Sequence, residues 1–97
     1  MALILREALD LRQRLRPTAT ATHETQVVLG QVLFERGQLA EAETLLLAGY
    51  AGLEKQQGLS QRALRHRRAA VEQLIKLYQA TNRPDAVPEW EKRRQAP

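Results

Sequence analysis

Apolar residues recur along most of the chain at the three- and four-residue spacing of an amphipathic α-helix. The first such segment covers about residues 3–16 and ends before Pro17, because the residue preceding a proline is disfavoured in the α region. Its apolar positions form one stripe, which consists of Ile4, Ala8, Leu11 and Leu15 and is widened by Leu5 and Leu9. We expect this first helix to pack through that stripe.

Four more segments show the same periodicity and cover about residues 23–35, 39–57, 61–80 and 84–94. Gly37 and Asn82 follow two of them, and both residue types adopt the left-handed conformation that commonly ends a helix. Thr22 and Ser60 are candidate N-terminal caps. The end of the chain from Arg93 is expected to fray. The pattern therefore predicts about five helices.

Composition agrees with an all-α domain. Leu, Ala, Gln, Glu and Arg dominate and favour helix, whereas aromatic residues make up only 4% of the 97 residues. This length suits a single small domain, residues 1–97. The chain has no cysteine, which excludes disulfides and cysteine metal sites and fits a reducing cytosol. No apolar run approaches the ~20 residues of a membrane span, so we expect a cytoplasmic protein.

Two parts of the chain can be superimposed at an offset of 45 residues. The superposition pairs Leu29 with Leu74, Leu33 with Tyr78, Gly37 with Asn82 and Ala42 with Val87. A fainter offset of 41 residues places the first helix on the third. Helix pairs that repeat in this way stack into solenoids, since each pair leaves an apolar face for its neighbour to cover. We interpret the chain as a half repeat at 1–17, a full repeat at 23–58 and a degenerate repeat at 61–95.

The full repeat resembles the tetratricopeptide repeat. That family has Leu-Gly, an aromatic residue three positions after the glycine, and a small Ala early in the next helix. Leu29, Gly30, Leu33 and Ala42 stand at these positions. Gly30 and Ala42 would be the small residues at which the paired helices cross closely. The second copy departs from the pattern, with Ile75 in place of the glycine.

The offset of 45 residues exceeds the ~34 of the standard repeat and is similar to the longer repeats of kinesin light chains. Segments 37–50 and 78–84, together with Trp90, resemble repeats at the C-termini of bacterial serine/threonine kinases. The resemblance implies a right-handed α-solenoid of antiparallel helix hairpins that binds other proteins in a bacterial cytoplasm. A chain that begins halfway through a repeat suggests a piece of a longer array, or a short protein that completes its fold by dimerising.

In tetratricopeptide repeats the first helix of each pair lines a concave groove for a peptide or a partner helix. Alignment carries that role to Val27, Gln31 and Phe34 in the first pair and to Glu72, Lys76 and Gln79 in the second. Phe34 has two interpretations, as an apolar anchor in the groove or as a contact with a neighbouring repeat. The resemblance thus implies a protein-interaction scaffold without a cofactor.

The formal net charge of +4 allows a second function. The densest charge is a candidate anion-binding cluster formed by Arg62, Arg65, Arg67 and Arg68. Arginine matches phosphate and carboxylate groups, although such a run is also typical of a solvated helix face. The alternative to a scaffold is therefore a basic helical module for nucleic acid or another polyanion. The run has no interleaved aromatic residue, which makes nucleic acid the weaker alternative.

The sequence offers little chemistry for catalysis. It contains no Gly-rich phosphate loop, Ser-His-Asp set or metal-ligand spacing around His23 and His66, so we expect neither an enzyme nor a metal site. Glu41 and Glu43 are two residues apart and are interpreted as partners of the helix dipole rather than as an acid/base pair. Since the first helix has no partner of its own, we expect homo-oligomers through exposed repeat faces.

Overall fold

The computed structural model describes residues 2–15 and 20–95 of the chain. Its helices are α1 (Ala2–Leu15), α2 (Thr20–Glu35), α3 (Leu39–Lys55), α4 (Gln61–Ala80) and α5 (Val87–Gln95), and a short 3-10 helix, Pro84–Ala86, precedes α5. The described part of the chain has no strand. The prediction of an all-α protein with five helices is therefore confirmed.

The helix ends follow from local residue types. Gly37, Gly58 and Asn82 lie just beyond α2, α3 and α4, with φ angles of 80°, 68° and 61°. The left-handed conformations predicted for Gly37 and Asn82 are thus confirmed. Ser60 caps α4, since its hydroxyl accepts a hydrogen bond of 3.1 Å from the backbone amide of Ala63.

Thr22 does not cap α2, contrary to the prediction. The helix already begins at Thr20, and Thr22 lies inside it with a fully buried side chain. Thr25 donates its hydroxyl proton to the carbonyl oxygen of Ala21 at 2.9 Å, so this first turn is regular helix. A threonine can therefore be helical here, because its polar group is satisfied within the helix. Residues 16–19, which include the predicted end of the first helix before Pro17, lie outside the described residues.

Helices α2 and α3 approach each other closely at Gly30. A Cβ atom added to Gly30 would lie 2.8 Å from Cγ of Leu46 and 3.3 Å from the carbonyl oxygen of Ala42. Ala42 itself is fully buried. The prediction that Gly30 and Ala42 are the small residues at this crossing is confirmed, since a larger side chain at either position would separate the helices.

A second close approach lies at Gly49. A Cβ atom there would be 2.6 Å from Cγ2 of Val27 and 2.9 Å from the carbonyl oxygen of His23. A Cβ at Gly52 would be 2.2 Å from the His23 ring. The contacts move towards the start of α2 as they move towards the end of α3. The two helices are therefore antiparallel and in close contact over several turns.

Helix α2 contacts α1, α3 and α4, and α4 contacts α2, α3 and α5. The core lies between these helices. Among the described residues, α1 reaches α3 through side chains, namely the ion pair of Arg6 with Glu41. The largest fully buried side chains of the core are Leu29, Leu33, Leu46, Leu53, Leu74, Leu77 and Val27.

The apolar stripe predicted to pack α1 is only partly buried. Leu9 is buried and Leu5 is partly buried against the core, whereas the side chains of Ile4 and Leu11 remain 70% and 57% exposed. The helix carries more apolar surface than α2, its one backbone neighbour among the described helices, can cover. The prediction was therefore wrong for Ile4 and Leu11, and the side chain of Leu15 lies outside the described residues.

The close approach at Gly49 predicts that Gly49→Ala destabilises the fold. The new methyl group would overlap a backbone oxygen that cannot move independently of α2. Overpacking of this kind costs about 1–3 kcal/mol, which outweighs the gain of about 1 kcal/mol in helix propensity. We expect a net loss of stability in urea unfolding followed by circular dichroism.

Ala48→Gly, at an exposed position of the same helix, is the control for propensity alone. It should cost about 1 kcal/mol. If Gly49→Ala instead stabilised the protein by about 1 kcal/mol, the conclusion that α2 and α3 are in close contact at Gly49 would be wrong.

Candidate functional site

The first candidate site is a cleft above α2, between α1 and α4, which we call the α2 cleft. It has a volume of about 190 Å³ and is lined by Leu5, Ala21, Glu24, Thr25, Val28, Arg62 and His66. Ala21, Thr25 and Val28 recur at helical spacing and so share one face of α2. The cleft combines an apolar floor with charged groups at one side, which suits an amphipathic peptide.

Glu24 is the acidic group of the α2 cleft. Its side chain is only 14% exposed, and Oε2 lies 3.5 Å from both Nε of Arg62 and Nε2 of His66. Oε2 accepts no hydrogen bond from the described residues. The carboxylate therefore lies beside two side chains of α4, and these contacts connect that helix to α2.

The six predicted groove residues do not form one surface. Val27 is fully buried beside Gly49 and belongs to the core, because its position on α2 faces α3. Phe34 is partly buried and packs against the hydrophobic core, which agrees with its interpretation as a packing residue. Gln31 is also partly buried. Neither side chain lines the α2 cleft.

The groove residues predicted on α4 are also separated. Lys76 and Gln79 are exposed near the end of the helix. Glu72 lies on a different side, where its carboxylate pairs with Arg94 of α5 at 3.4 Å. The alignment to a distant repeat identified the helices that carry an exposed face. It did not identify the residues, because the rotation of each helix depends on neighbours that the alignment does not contain.

The predicted anion-binding cluster is divided between two sides of α4. Arg62 belongs to the α2 cleft, and Arg65 is exposed. Arg67 and Arg68 line a second cleft, between α3, α4 and α5. The four residues cannot all share one helix face, because Arg65 and Arg67 are two residues apart and each residue of an α-helix turns by about 100°.

We call this second cleft the arginine cleft. Its volume is about 250 Å³, and it is lined by Tyr50, Glu54, Arg67, Arg68, Val71, Glu72, Arg93 and Arg94. The end of the chain was predicted to fray, yet α5 continues to Gln95 and places Arg93 and Arg94 against the other helices. The sequence signal that was missed is the run of acidic and basic residues in α5, which pairs internally and with α4.

An aromatic pair lies beside the arginine cleft. The rings of Tyr50 and Trp90 meet edge to face with their centroids 5.0 Å apart. The Arg93 guanidinium lies 4.4 Å from the Trp90 centroid and 5.5 Å from that of Tyr50. The Tyr50 hydroxyl donates to Glu54 at 2.7 Å. These contacts attach α5 to α3 and hold the Arg93 guanidinium in a defined position.

The acidic residues at the start of α3 join other helices rather than only the helix dipole. Glu41 pairs with Arg6 of α1. Oε2 of Glu43 accepts a hydrogen bond of 3.0 Å from the Tyr78 hydroxyl, and its Oε1 accepts one of 2.5 Å from Nη2 of Arg83. The partners lie 35 to 40 residues away in sequence, so local spacing could not reveal them.

Both tyrosines have raised pKa values. Burial, followed by the hydrogen bond to Glu43 and the charge of that carboxylate, raises the pKa of Tyr78 to about 12. Burial and the neighbouring Glu54 raise the pKa of Tyr50 in the same direction. In each case a negative carboxylate beside the hydroxyl disfavours the phenolate.

The described residues hold no group of three or more His, Asp or Glu side chains suited to a metal ion. His23 packs against Gly52 and its Nδ1 lies 3.0 Å from Oε1 of Gln26. Among residues 2–15 and 20–95, no helix has both the length and the apolar character of a membrane span. A third cleft, of about 310 Å³ between α1, α2 and α3, contains none of the site residues predicted from the sequence, whereas the α2 cleft and the arginine cleft each contain at least one.

Comparison of the chain with protein-family models, curated proteins and solved structures gives no match. The resemblance to tetratricopeptide repeats therefore rests on the residues and helix contacts of this chain alone.

The surroundings of Tyr78 predict that the free energy of unfolding decreases at high pH. Its folded pKa of about 12 exceeds the ordinary value of 10.0, so the folded state retains the phenolic proton longer than the unfolded state. The stabilisation is complete below about pH 10 and is lost as the pH rises towards 12. Ultraviolet absorbance of the phenolate, measured in a Tyr50→Phe background, should show this titration.

Replacing Glu43 by Gln in the same background should move the Tyr78 titration towards lower pH, because the negative neighbour is gone. Glu41→Gln, two residues away and paired with Arg6, should leave it in place. Equal titration curves for the three proteins would mean that Glu43 does not contact Tyr78.

Proposed function

We propose that the chain is a protein-interaction scaffold of the tetratricopeptide type, which binds a peptide or a partner helix in the α2 cleft. The direct contact between α2 and α4 carries this proposal. A continuous groove requires the first helices of successive pairs to lie side by side, while the second helices stay apart. Among the described residues, α3 and α5 meet through side chains rather than along their backbones.

The turns after α2 and α4 support a repeat of 45 residues. The amide of Gln38 donates to the carbonyl oxygen of Leu33 at 2.9 Å, and the amide of Arg83 donates to that of Tyr78 at 2.9 Å. Each bond joins residues five positions apart and encloses a residue in the left-handed conformation, Gly37 in one turn and Asn82 in the other. This arrangement is that of a Schellman motif. The same backbone bond at the same offset supports the proposal of two equivalent helix pairs.

The lining of the α2 cleft suits a partner with aliphatic side chains. Leu5, Ala21 and Val28 provide apolar contacts from two helices. Glu24 and Arg62 at one side offer an acceptor and a donor for polar groups of the same partner. Such a mixture of an apolar centre and a polar rim is common to protein interfaces.

Binding of nucleic acid has less support. The arginine run of α4 is divided between two clefts, and Arg62 is already beside Glu24. The aromatic rings next to the arginines, Tyr50 and Trp90, are buried and offer no face on which a base could stack.

A selected peptide tests the proposed groove. Peptides are selected from a displayed random library against the wild-type chain, and their affinities are then measured by isothermal titration calorimetry. Val28→Asp places a carboxylate on the apolar floor of the α2 cleft and should weaken binding about tenfold or more.

Ala48→Asp, at an exposed position of α3, is the matched control and should bind within about twofold of the wild type. Thermal unfolding of both variants establishes that they are folded. If Val28→Asp and Ala48→Asp bound equally well, the α2 cleft would not be the binding site. If no library peptide bound at all, the scaffold function would be wrong.

A further inference from the structure

We propose that the arginine cleft binds the dianion of a phosphate monoester. The cleft is on a different side of α4 from the α2 cleft, so this inference goes beyond the proposed scaffold. Its lining contains four arginines and two glutamates, and two further carboxylates, Glu89 and Glu91, pair with Arg93 and Arg94 from outside the lining. A phosphate monoester carries a charge of about −1.5 to −2 at neutral pH, and its oxygens could replace these exposed carboxylates as partners of the arginines.

Two arginines of the cleft, Arg68 and Arg94, have no strong ion pair. Nη1 of Arg94 lies 3.4 and 3.5 Å from the two carboxylate oxygens of Glu72, which exceeds the ~2.8 Å of a strong charged hydrogen bond. The two side chains are 42% and 44% exposed, and exposed pairs contribute little to stability. Arg68 forms no hydrogen bond or ion pair within the described part of the chain. An incoming anion can therefore bind the guanidinium groups of Arg68 and Arg94 at little cost.

The Arg93 guanidinium is already held in place without a ligand. Its guanidinium stacks on Trp90 and pairs with Glu89 at 3.0 Å, so it keeps one orientation at the edge of the cleft. Arginine donates two parallel hydrogen bonds to phosphate oxygens from such a fixed plane. Tyr50 and Val71, which are largely buried, form part of the apolar wall of the same cleft.

The shape of the site favours a single phosphate group over a polymer. The volume of about 250 Å³ is enclosed by three helices. A nucleic acid strand would need a basic stripe that continues beyond the cleft, together with exposed aromatic faces. Arg62 is instead engaged in the α2 cleft, and Trp90 is buried.

Titration with phenyl phosphate tests the proposal in the intact chain. Trp90 is the single tryptophan of the sequence and lies under Arg93, so its fluorescence reports on the cleft. We expect a saturable change that Arg68→Gln weakens about tenfold, as expected for the loss of a charged hydrogen bond. Arg94→Gln is a second variant with the same expected direction.

Arg65→Gln is the matched control, because Arg65 is exposed on the same helix and does not line the cleft. It should change the affinity by less than about twofold. Equal weakening by Arg68→Gln and Arg65→Gln would show only general attraction to a basic protein and would overturn the proposal. A fluorescence signal that does not saturate with phenyl phosphate would overturn it as well.

Two further ligands distinguish the source of the phosphate. If inorganic phosphate binds as tightly as phenyl phosphate, the cleft recognises the free anion. If a phosphoserine peptide binds more tightly and its unphosphorylated form does not bind, the cleft recognises a modified side chain of a protein. Either result supports the site. Val28→Asp should retain phosphate binding, so failure of the scaffold proposal can be told apart from failure of this one.

Discussion

The close approach of α2 and α3 is the constraint on which the remaining packing depends. At Gly30 and Gly49 the two helices leave no space for even one methyl group between them. This contact holds α2 and α3 as a single unit with one broad surface. Helix α4 packs against both helices of that unit at once, and α1 and α5 are then added at its two sides. A wider α2–α3 separation would remove the surface that α4 contacts.

Side-chain contacts attach α4 and α5 to the α2–α3 pair at two points. Glu43 at the start of α3 holds Tyr78 and Arg83 at the end of α4. Towards the other end of α3, Tyr50 contacts Trp90 of α5. The rings of both tyrosines are buried, and each hydroxyl donates a hydrogen bond to a carboxylate. The polar hydroxyl is thereby satisfied without placing a charge in the core. The first point attaches the C-terminal end of α4 to α3, and the second attaches α5 to α3.

Periodicity predicted the number of helices, most of their ends and the small residues at the α2–α3 crossing, because each of these follows from local residue types. It did not predict which face of a helix meets which neighbour. Ile4 and Leu11 are exposed, and Val27 is core rather than groove, since those outcomes depend on how many helices surround a given one. Periodicity also could not predict the partners of Glu43 or the arginine cleft, because both bring together residues that are far apart in sequence.

Helix α4 separates the two candidate sites. His66 lies beside Glu24 in the α2 cleft, whereas Arg67 and Arg68 lie in the arginine cleft on another side of the same turn. Between them the helix is packed through fully buried small side chains, Ala63 and Ala70. Side chains this small leave no room for α4 to shift, and a close-packed core resists such a movement. A ligand in one cleft therefore has no ready means of altering the other, and the geometry favours two sites that act independently.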